Sequence, residues 1–476
     1  MATKRDQLQS YQFLVQRLVT ALVTRETDPE QAPFRRATMG AIGSIVLAVL
    51  VLTGFGVYGL IVPGGKDSWR SGDVVIVEKE TGTRYVYVAG RLHPVANYVS
   101  ALLVLQRYAP IRSVSRRSLV DVPRGARIGI PDAPDSLPDR RQLLAGSWSM
   151  CSQPVVDYTG AEVDESVLMV GQEPASGQRL GDSALLVAVP ETGEEYLLWR
   201  GFRHRIRAVD KVVVSLALQS EPWARIGVEL ISALPEGAPL TPVALPDLGA
   251  TSSAVEERSD LRIGQLMLLE TAGGFRQYYL VEASRLRPIS ALQYDIQVAF
   301  PESAQAYDGE QPVALPLDTV DAAQSRQGPK VATTPGAPPL VRPAFLGARE
   351  TGSTLCATFA PAQPVPTLTV DAALPARDPM TSTAGRTIRG TPLADRVVVP
   401  PGRAALVESM PSLNAPAGAL SVVTDLGVQH PLAGPGVLAT LGFDGVTPVR
   451  MPASLVARIP AARGLDPAAA MRQVTD

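Results

Sequence analysis

An uncharged stretch of 26 residues near the N-terminus constrains this chain more than any other feature of its sequence. Residues 37–62 read ATMGAIGSIVLAVLVLTGFGVYGLIV. As an α-helix this stretch would be about 39 Å long, whereas the hydrocarbon core of a bilayer is about 30 Å thick. It is too long, and begins too far into the chain, for the apolar part of a cleaved signal peptide. We therefore predict one transmembrane helix over 37–62 and, because later apolar runs are short, no second span.

The charges that flank this stretch predict its orientation. Residues 1–36 hold six Lys and Arg, and Arg35 and Arg36 lie directly before the apolar stretch. Positively charged flanks tend to stay on the cytoplasmic side. Arg35 and Arg36 are thus the expected topology anchors. The protein would be a single-pass protein of the plasma (inner) membrane, with a cytoplasmic N-terminus and residues 63–476 on the extracytoplasmic, periplasmic side.

The cytosolic segment 1–36 carries an amphipathic pattern of its own. Apolar side chains recur at helical spacing along one stripe, at Leu8, Tyr11, Leu14, Leu18 and Leu22. Such a helix either lies on the lipid surface or docks onto a partner protein in the membrane. The opposite face has mixed charge rather than a row of lysines, which favours docking onto a partner.

The composition excludes most kinds of catalytic site. The 476 residues include three His and two Cys, which removes nearly every zinc, iron–sulfur and Cys/His-nucleophile arrangement. A net charge of −2 argues against nucleic-acid binding. The motifs G-x-x-x-x-G-K-[ST], G-x-S-x-G and H-E-x-x-H do not occur. We predict no catalytic, metal-ligating or cofactor-binding residues.

Four segments of the outer part share one pattern, which indicates internal repeats. Each has an apolar strand, a turn, a second apolar strand, a His/Arg-x-apolar corner and, in the first three, a short helix. The first three repeats begin with 73–95, 184–206 and 265–289, and a weaker fourth begins near Val407.

One position recurs at the corner of every repeat. The residue eight positions after the first residue of the second strand is a histidine in three repeats and an arginine in one. The four corner residues are His93, His204, Arg287 and His430. The interpretation that the pattern favours is capping or hydrogen bonding where the strand turns into the helix. A role as ligand or pH sensor is the alternative.

The remaining segments should build a central core. The two cysteines, Cys151 and Cys356, both lie in these segments on the oxidising side of the membrane, and we predict one disulfide between them, with two buried free thiols as the alternative. We expect 1–36 as cytosolic helix, 37–62 as span, 63–145 as repeat 1, 146–180 as core segment, 181–250 as repeat 2, 251–326 as repeat 3, 327–405 as Pro-rich linker and core segment, and 406–476 as repeat 4 with the C-terminal tail.

These segments together predict an α+β fold: one N-terminal transmembrane helix and a large extracytoplasmic domain of four small α/β repeats around a central β core. One question stays open at the C-terminus. Residues 450–473 either complete repeat 4 or cross over to repeat 1.

Several strings of the chain carry a resemblance to a known family. They are RDQLQSYQFLVQRLVTALV (5–23), GDVVIVEKETGTRYVY (72–87), HPVANYVSALLV (93–104) and GSWSMC (146–151). With these strings the chain resembles the EccB family, membrane components of actinobacterial type VII (ESX) secretion systems. The resemblance implies a cytosolic helix, one span, and four repeats around a β core that is tied by one disulfide.

The resemblance also implies partners. These are the FtsK/SpoIIIE-like ATPase EccC, EccD, EccE, the subtilisin-like mycosin protease and a second EccB copy bound through the extracytoplasmic domain. We therefore expect a non-catalytic structural subunit that organises the extracytoplasmic face of a secretion complex. Two alternatives stay open. Proteins of the family have been labelled ATPases, so ATP is a possible cofactor by that label alone, and the repeats have been likened to phage-lysin modules, which implies peptidoglycan binding.

Overall fold

The computed structural model describes residues 3–24, 34–61, 68–346, 353–361, 363, 365–412 and 414–474. Two long helices come first, α1 (Lys4–Thr24) and α2 (Phe34–Ile61). Within the described residues α2 is the one helix long and apolar enough to cross a membrane, and residues 38–57 of it are not covered by other parts of the chain. The side chains of Arg35 and Arg36 lie outside the described part.

The rest of the chain forms four small sheets and one larger sheet. In chain order the first elements are β1 (Val75–Glu78), β2 (Arg84–Val88), β3 (Arg91–Pro94), α3 (Tyr98–Leu105) and β4 (Ile111–Val114), which we call repeat 1. They are followed by β5 (Trp148–Val156), β6 (Glu162–Met169) and β7 (Gln178–Arg179). Repeat 2 has β8 (Ala184–Val189), β9 (Glu194–Trp199), β10 (Phe202–Arg205), α4 (Val209–Ser215), β11 (Trp223–Arg225) and α5 (Val228–Ala233).

Repeat 3 has β12 (Leu266–Glu270), β13 (Arg276–Val281), β14 (Leu286–Ile289), α6 (Ala291–Val298), β15 (Ala314–Leu317) and α7 (Thr319–Gln324). The next strands are β16 (Leu355–Phe359), β17 (Thr367–Val370) and β18 (Arg396–Val398). Repeat 4 has β19 (Ala404–Met410), β20 (Ala419–Thr424), β21 (Gln429–Pro431), α8 (Gly436–Thr440), β22 (Val449–Pro452), α9 (Ala453–Val456) and α10 (Pro467–Ala470).

All four repeats have the same topology. The first three strands form an antiparallel meander, and the fourth returns beside the first strand and parallel to it, after a helix. The sheet orders are β3-β2-β1-β4, β10-β9-β8-β11, β14-β13-β12-β15 and β21-β20-β19-β22. Local signals explain the helix starts in two repeats, because Asn97 and Ser290 accept hydrogen bonds from backbone N–H groups three residues later. The predicted fold class is confirmed.

The fourth repeat differs at one turn. In repeats 1 and 2 two residues separate the second and third strands, and in repeat 3 a hydrogen bond between Glu282 and Arg285 extends the pairing and also leaves a two-residue turn. In repeat 4 residues 425–427 make a three-residue turn. The spacing to His430 is counted in the sequence from Val422, and Val422 lies directly opposite His430. In the other repeats the residue from which the spacing is counted comes one position before the residue opposite the corner. The histidine nevertheless occupies the equivalent place, since the extra turn residue compensates for this shift.

The larger sheet lies between the repeats and has the order β18-β6-β5-β16-β17-β7. Its strands come from two segments that are far apart in the sequence. Trp148, Leu168 and Phe359 are fully buried there, in a core that this sheet shares with repeats 2 and 4. This is the central β core that the sequence predicts.

The repeats do not pack in the order of the sequence. Repeat 1 shares a core with repeat 4, where Leu102 and Leu103 of α3 lie with Leu406 and Phe443. Repeat 2 contacts repeat 3 through another core. In it, Val212 of α4 and Leu216, which directly follows α4, pack near α6. The open question at the C-terminus resolves both ways: β22 completes the sheet of repeat 4, and α10 packs on α3 of repeat 1.

Candidate functional site

The structure places the four corner residues on the third strand of each repeat. His93 lies opposite Val86, His204 opposite Leu197, Arg287 opposite Leu280 and His430 opposite Val422. A later segment of the same repeat runs alongside this strand, parallel to it. It pairs at 124–128 in repeat 1, at 236–240 in repeat 2, at 327 in repeat 3 and at 461–465 in repeat 4. Each corner residue is thus held between the sheet and the end of its own repeat.

Two of the histidines make the same contact with this closing segment. The Nδ1 atom of His93 lies 3.1 Å from the carbonyl oxygen of Ala126, and Nδ1 of His204 lies 2.8 Å from that of Ala238. As donors, both rings satisfy a backbone acceptor that the sheet leaves unpaired. Burial lowers the pKa of the His204 ring, which favours its neutral form.

The residue that faces the corner is glycine in three repeats. A Cβ atom on Gly125 would lie 2.1 Å from Cε1 of His93, and one on Gly237 would lie 2.4 Å from Cε1 of His204. Gly328 has the same place opposite Arg287, where a Cβ would lie 3.2 Å from the arginine Cα. The sequence analysis missed these glycines, although 32 and 33 residues separate the two histidines from theirs.

The other two corners differ. Arg287 lies 3.5 Å from Glu282 as an ion pair. His430 is buried, and its Nδ1 has no hydrogen-bond partner among the described residues. Burial lowers the pKa of the His430 ring, and the carboxylate of Asp132 from repeat 1 opposes this change. The four corners lie in four separate sheets, and the described residues contain no group of three His, Cys, Asp or Glu that could hold a metal ion.

The two cysteines form a disulfide across the centre of the larger sheet. Cys151 on β5 lies directly opposite Cys356 on β16, with 4.0 Å between their Cα atoms. Both side chains are fully buried beside Val167 and Met169. The bond joins positions 205 residues apart, so it ties the two separate segments that build this sheet.

A buried charged group that the sequence analysis missed lies where repeat 2 meets the central sheet. Glu229, in the first turn of α5, is 8% exposed, and burial raises its pKa to about 7. Its carboxylate folds over Gly227, whose N–H donates to Oγ of Ser152 on β5. No sequence motif marks this position, because a glutamate in a first helical turn is usually solvated.

A buried arginine of repeat 4 lies near this carboxyl group. Arg458 is 6% exposed, and its Nη1 has no hydrogen-bond partner in the described part of the chain. Burial lowers the pKa of this guanidinium, and the charge of Glu229 opposes that change. Ser454 of α9 donates to the carbonyl of Ala233 at the end of α5, so repeats 2 and 4 touch directly here.

The Pro-rich segment lies as a strap over repeats 2 and 3. Leu292 of α6 donates to the carbonyl of Leu340, and Nε of Arg342 donates to the carbonyl of Leu216. A cleft of about 590 Å³ lies between this strap and an aromatic surface of repeat 2 that includes Trp199 and Phe202. The described residues that line the cleft are mostly apolar, and its two ionisable side chains, Asp182 and Arg200, form an ion pair at 2.9 Å.

The chain is similar to a known protein family and to several characterised proteins. The family model described as "Type VII secretion system ESX-1, transport TM domain B" matches residues 1–475. The protein named "ESX-1 secretion system ATPase EccB1" of Mycobacterium tuberculosis (strain H37Rv) is 31% identical over 300 residues, which are 61% of this chain and 60% of that protein. "ESX-3 secretion system ATPase EccB3" of Mycolicibacterium smegmatis is 28% identical over 60% of this chain and 55% of its own length. The match thus spans about three fifths of these relatives.

Solved structures share the fold. An ESX-5 inner membrane complex contains a chain with a TM-score of 0.63 and 22% identity, covering 100% of this chain and 96% of that one. The structure titled as an EccB3 dimer from the ESX-3 core complex gives a TM-score of 0.60 and 24% identity, covering 84% of this chain and 100% of that one. Because the family model spans nearly every residue, the chain belongs to the EccB family of type VII secretion systems.

Proposed function

We propose that this protein is a non-catalytic structural subunit of an ESX inner membrane complex. The observation that carries the proposal is the large apolar surface that the chain leaves uncovered on its two N-terminal helices. Leu14 and Leu22 of α1 are 63% and 72% exposed, and the apolar side chains of α2 between 38 and 57 are exposed as well. A lipid bilayer covers such a surface on α2, and a protein partner covers it on α1.

The proposed orientation has the N-terminus in the cytoplasm. Arg35 and Arg36 support it as topology anchors, because positively charged flanks are retained on the cytoplasmic side. The disulfide supports it as well, since a bond between Cys151 and Cys356 persists on the oxidising, extracytoplasmic side. On this proposal the four repeats and the central sheet lie in the periplasm, divided at the boundaries that the sequence predicts.

We propose that the repeats serve as a rigid spacer and pairing surface rather than as four separate binding modules. Shared cores support this role, because repeats 1 and 4, and repeats 2 and 3, bury apolar side chains against each other. In repeats 1 to 3 the corner residue and its facing glycine close the repeat onto itself. Pairing with a second copy is supported by the dimer of the similar EccB3 structure. EccC, EccD, EccE and the mycosin protease are the proposed further partners.

The test is a purification of tagged full-length protein from its native membrane in mild detergent, with mass spectrometry of the proteins that co-elute. We expect an FtsK/SpoIIIE-type ATPase and multispanning partners. A matched pair of variants sharpens the test: Leu14→Glu/Leu18→Glu changes the apolar stripe of α1, and Gln9→Glu/Gln16→Glu adds the same charge elsewhere on the helix. If both double variants lose the partners, or if neither does, docking through the apolar stripe is contradicted.

ATP hydrolysis is the second candidate, because the similar proteins of Mycobacterium carry the word ATPase in their names. The chain contains no phosphate-binding loop of the P-loop type. The test is ATP turnover by the purified full-length protein. Turnover that disappears on substitution of one arginine between repeats 2 and 4, such as Arg458→Gln, with the fold intact, would favour the enzyme over the structural subunit.

A further inference from the structure

A basic surface lies on repeat 1, close to the point where the chain leaves the transmembrane helix. Helix α2 ends at Ile61, and the described chain resumes at Ser68 with a short 3₁₀ turn on repeat 1. Seven residue steps span at most about 25 Å. Since α2 is the proposed membrane anchor, the start of repeat 1 is held within this distance of the bilayer.

The chain enters repeat 1 on a defined face of its sheet. Trp69 is fully buried in a small cluster with Ile76, Val114 and Leu119, on the side of the sheet opposite to α3. Arg112 of β4 donates a hydrogen bond from its guanidinium to Oγ of Ser68 and so fixes the entry point. The other side, with α3, is occupied by repeat 4.

This membrane-side face is rich in arginine. Its exposed basic side chains are Arg70, Arg112, Arg116 and Arg117, which we call the basic face. Arg116 is partly neutralised, since its Nε lies 3.5 Å from Oε1 of Glu78. Its backbone N–H donates to Glu80, whose carboxylate adds a negative charge beside it. Among the described residues neither Arg112 nor Arg117 has an ion pair, and Val120, three residues after Arg117 in the chain, is 66% exposed.

The charge of the whole repeat agrees with this local surface. Residues 68–145 hold twelve Lys and Arg against seven Asp and Glu, a net charge of +5, whereas the full chain has −2. Residues 146–476 hold 25 Lys and Arg against 34 Asp and Glu, so the rest of the outer domain is acidic overall. Charge of one sign at a membrane surface attracts lipid of the opposite sign, and each Lys or Arg near the surface contributes measurably.

We propose that the basic face of repeat 1 docks onto the anionic phospholipid headgroups of the outer leaflet, and that this contact sets the orientation of the outer domain above the membrane. The proposal rests on the anchoring of the chain by α2. Phosphate groups fit Arg112 and Arg117, which have no ion pair among the described residues, because an arginine offers several parallel N–H donors to oxyanions. Val120 would lie at the headgroup boundary. A protein partner on this face is the outcome that the experiment must separate from lipid.

The experiment uses full-length protein in nanodiscs of phosphatidylcholine alone and of an equal mixture with phosphatidylglycerol. Amide hydrogen exchange is followed by mass spectrometry over 111–121. We expect slower exchange in the anionic nanodiscs, and high salt should reverse it because salt screens exposed charges. In Arg112→Gln/Arg117→Gln the docked-to-free ratio should fall about fivefold per arginine, so that exchange in the two nanodiscs becomes nearly equal.

A matched control removes two exposed arginines of a different repeat, Arg276→Gln/Arg285→Gln in repeat 3. It should keep the full dependence on anionic lipid. Equal exchange of the unaltered protein in both nanodiscs would overturn the proposal, as would protection that is independent of lipid charge, which indicates a protein contact. A chain that enters neither nanodisc would instead contradict anchoring by α2, so the two failures are distinguishable.

Discussion

Replacing Glu229 by glutamine should remove a pH dependence of stability that this carboxyl group creates between repeat 2 and the central sheet. The group is 8% exposed, and burial raises its pKa from 4.5 to about 7. Asp395 and Glu191 raise the pKa further, while Arg386 lowers it, and Arg458 contributes a positive charge from repeat 4. The desolvation penalty of a charged Glu229 carboxylate thus exceeds the stabilisation that its partners provide.

The sign follows from the protons bound in each state. Between pH 4.5 and about 7 the folded protein keeps the Glu229 proton, which the unfolded chain has lost. Stability conferred by the protonated carboxyl is therefore present below pH 4.5 and is lost as the pH rises to about 7. A rise of pKa of this size corresponds to about 3 kcal/mol across that range. Above pH 7 the loss is complete and constant.

The assay is thermal unfolding of full-length protein in detergent at pH 5 and pH 8, followed by near-ultraviolet circular dichroism. Glu229→Gln should raise Tm by several degrees more at pH 8 than at pH 5, since the amide carries no charge at either pH. Glu310→Gln, an exposed glutamate of repeat 3, is the control and should change Tm equally at both. Equal effects of Glu229→Gln at the two pH values would refute the reasoning.

Two further predictions concern the disulfide and the corners. Reduction, or Cys151→Ser with Cys356→Ser, opens a loop of 205 residues and should lower the free energy of unfolding by up to about 5 kcal/mol in the chain-entropy model. The Tm of the unaltered protein should then depend on reductant, whereas the Tm of the double variant should not. A Tm of the unaltered protein that does not change with reductant contradicts the prediction. Gly237→Ala should destabilise repeat 2 by about 1–3 kcal/mol, because the new Cβ meets the His204 ring. Gly434→Ala, where a Cβ meets no atom within 4 Å, should be nearly neutral, and equal losses in the two variants would count against close packing at the corner.

Local patterns made much of the fold predictable. An uncharged run of helical length indicates the span, and the Thr81-Gly82 and Thr192-Gly193 turns indicate hairpins, because these signals depend on neighbouring residues alone. Four sheets of one topology appear where the repeated pattern predicts them. The fourth repeat is weaker in the sequence, since residues 411–418 between its first two strands contain no Thr-Gly or Gly-Gly pair.

At the corners, the sequence predicts which positions are equivalent but not what surrounds them. The equivalence of His93, His204, Arg287 and His430 can be found by counting, since spacing within a repeat is conserved by its strand lengths. Their surroundings cannot. The ring of His204 donates to a carbonyl 34 residues away, whereas His430 at the same place lacks a described partner for Nδ1.

The sequence by itself determined the candidate transmembrane segment, the repeated unit and the two cysteines available for one bond, because hydrophobic length, turn chemistry and residue counts are properties of the chain. The tertiary structure alone decided that repeat 1 packs with repeat 4, that Glu229 is buried, and that Arg112 lies where the chain enters repeat 1 at Ser68. These depend on which apolar surfaces meet across hundreds of residues. Many pairings of similar repeats bury comparable area, so complementary packing and not local pattern selects among them.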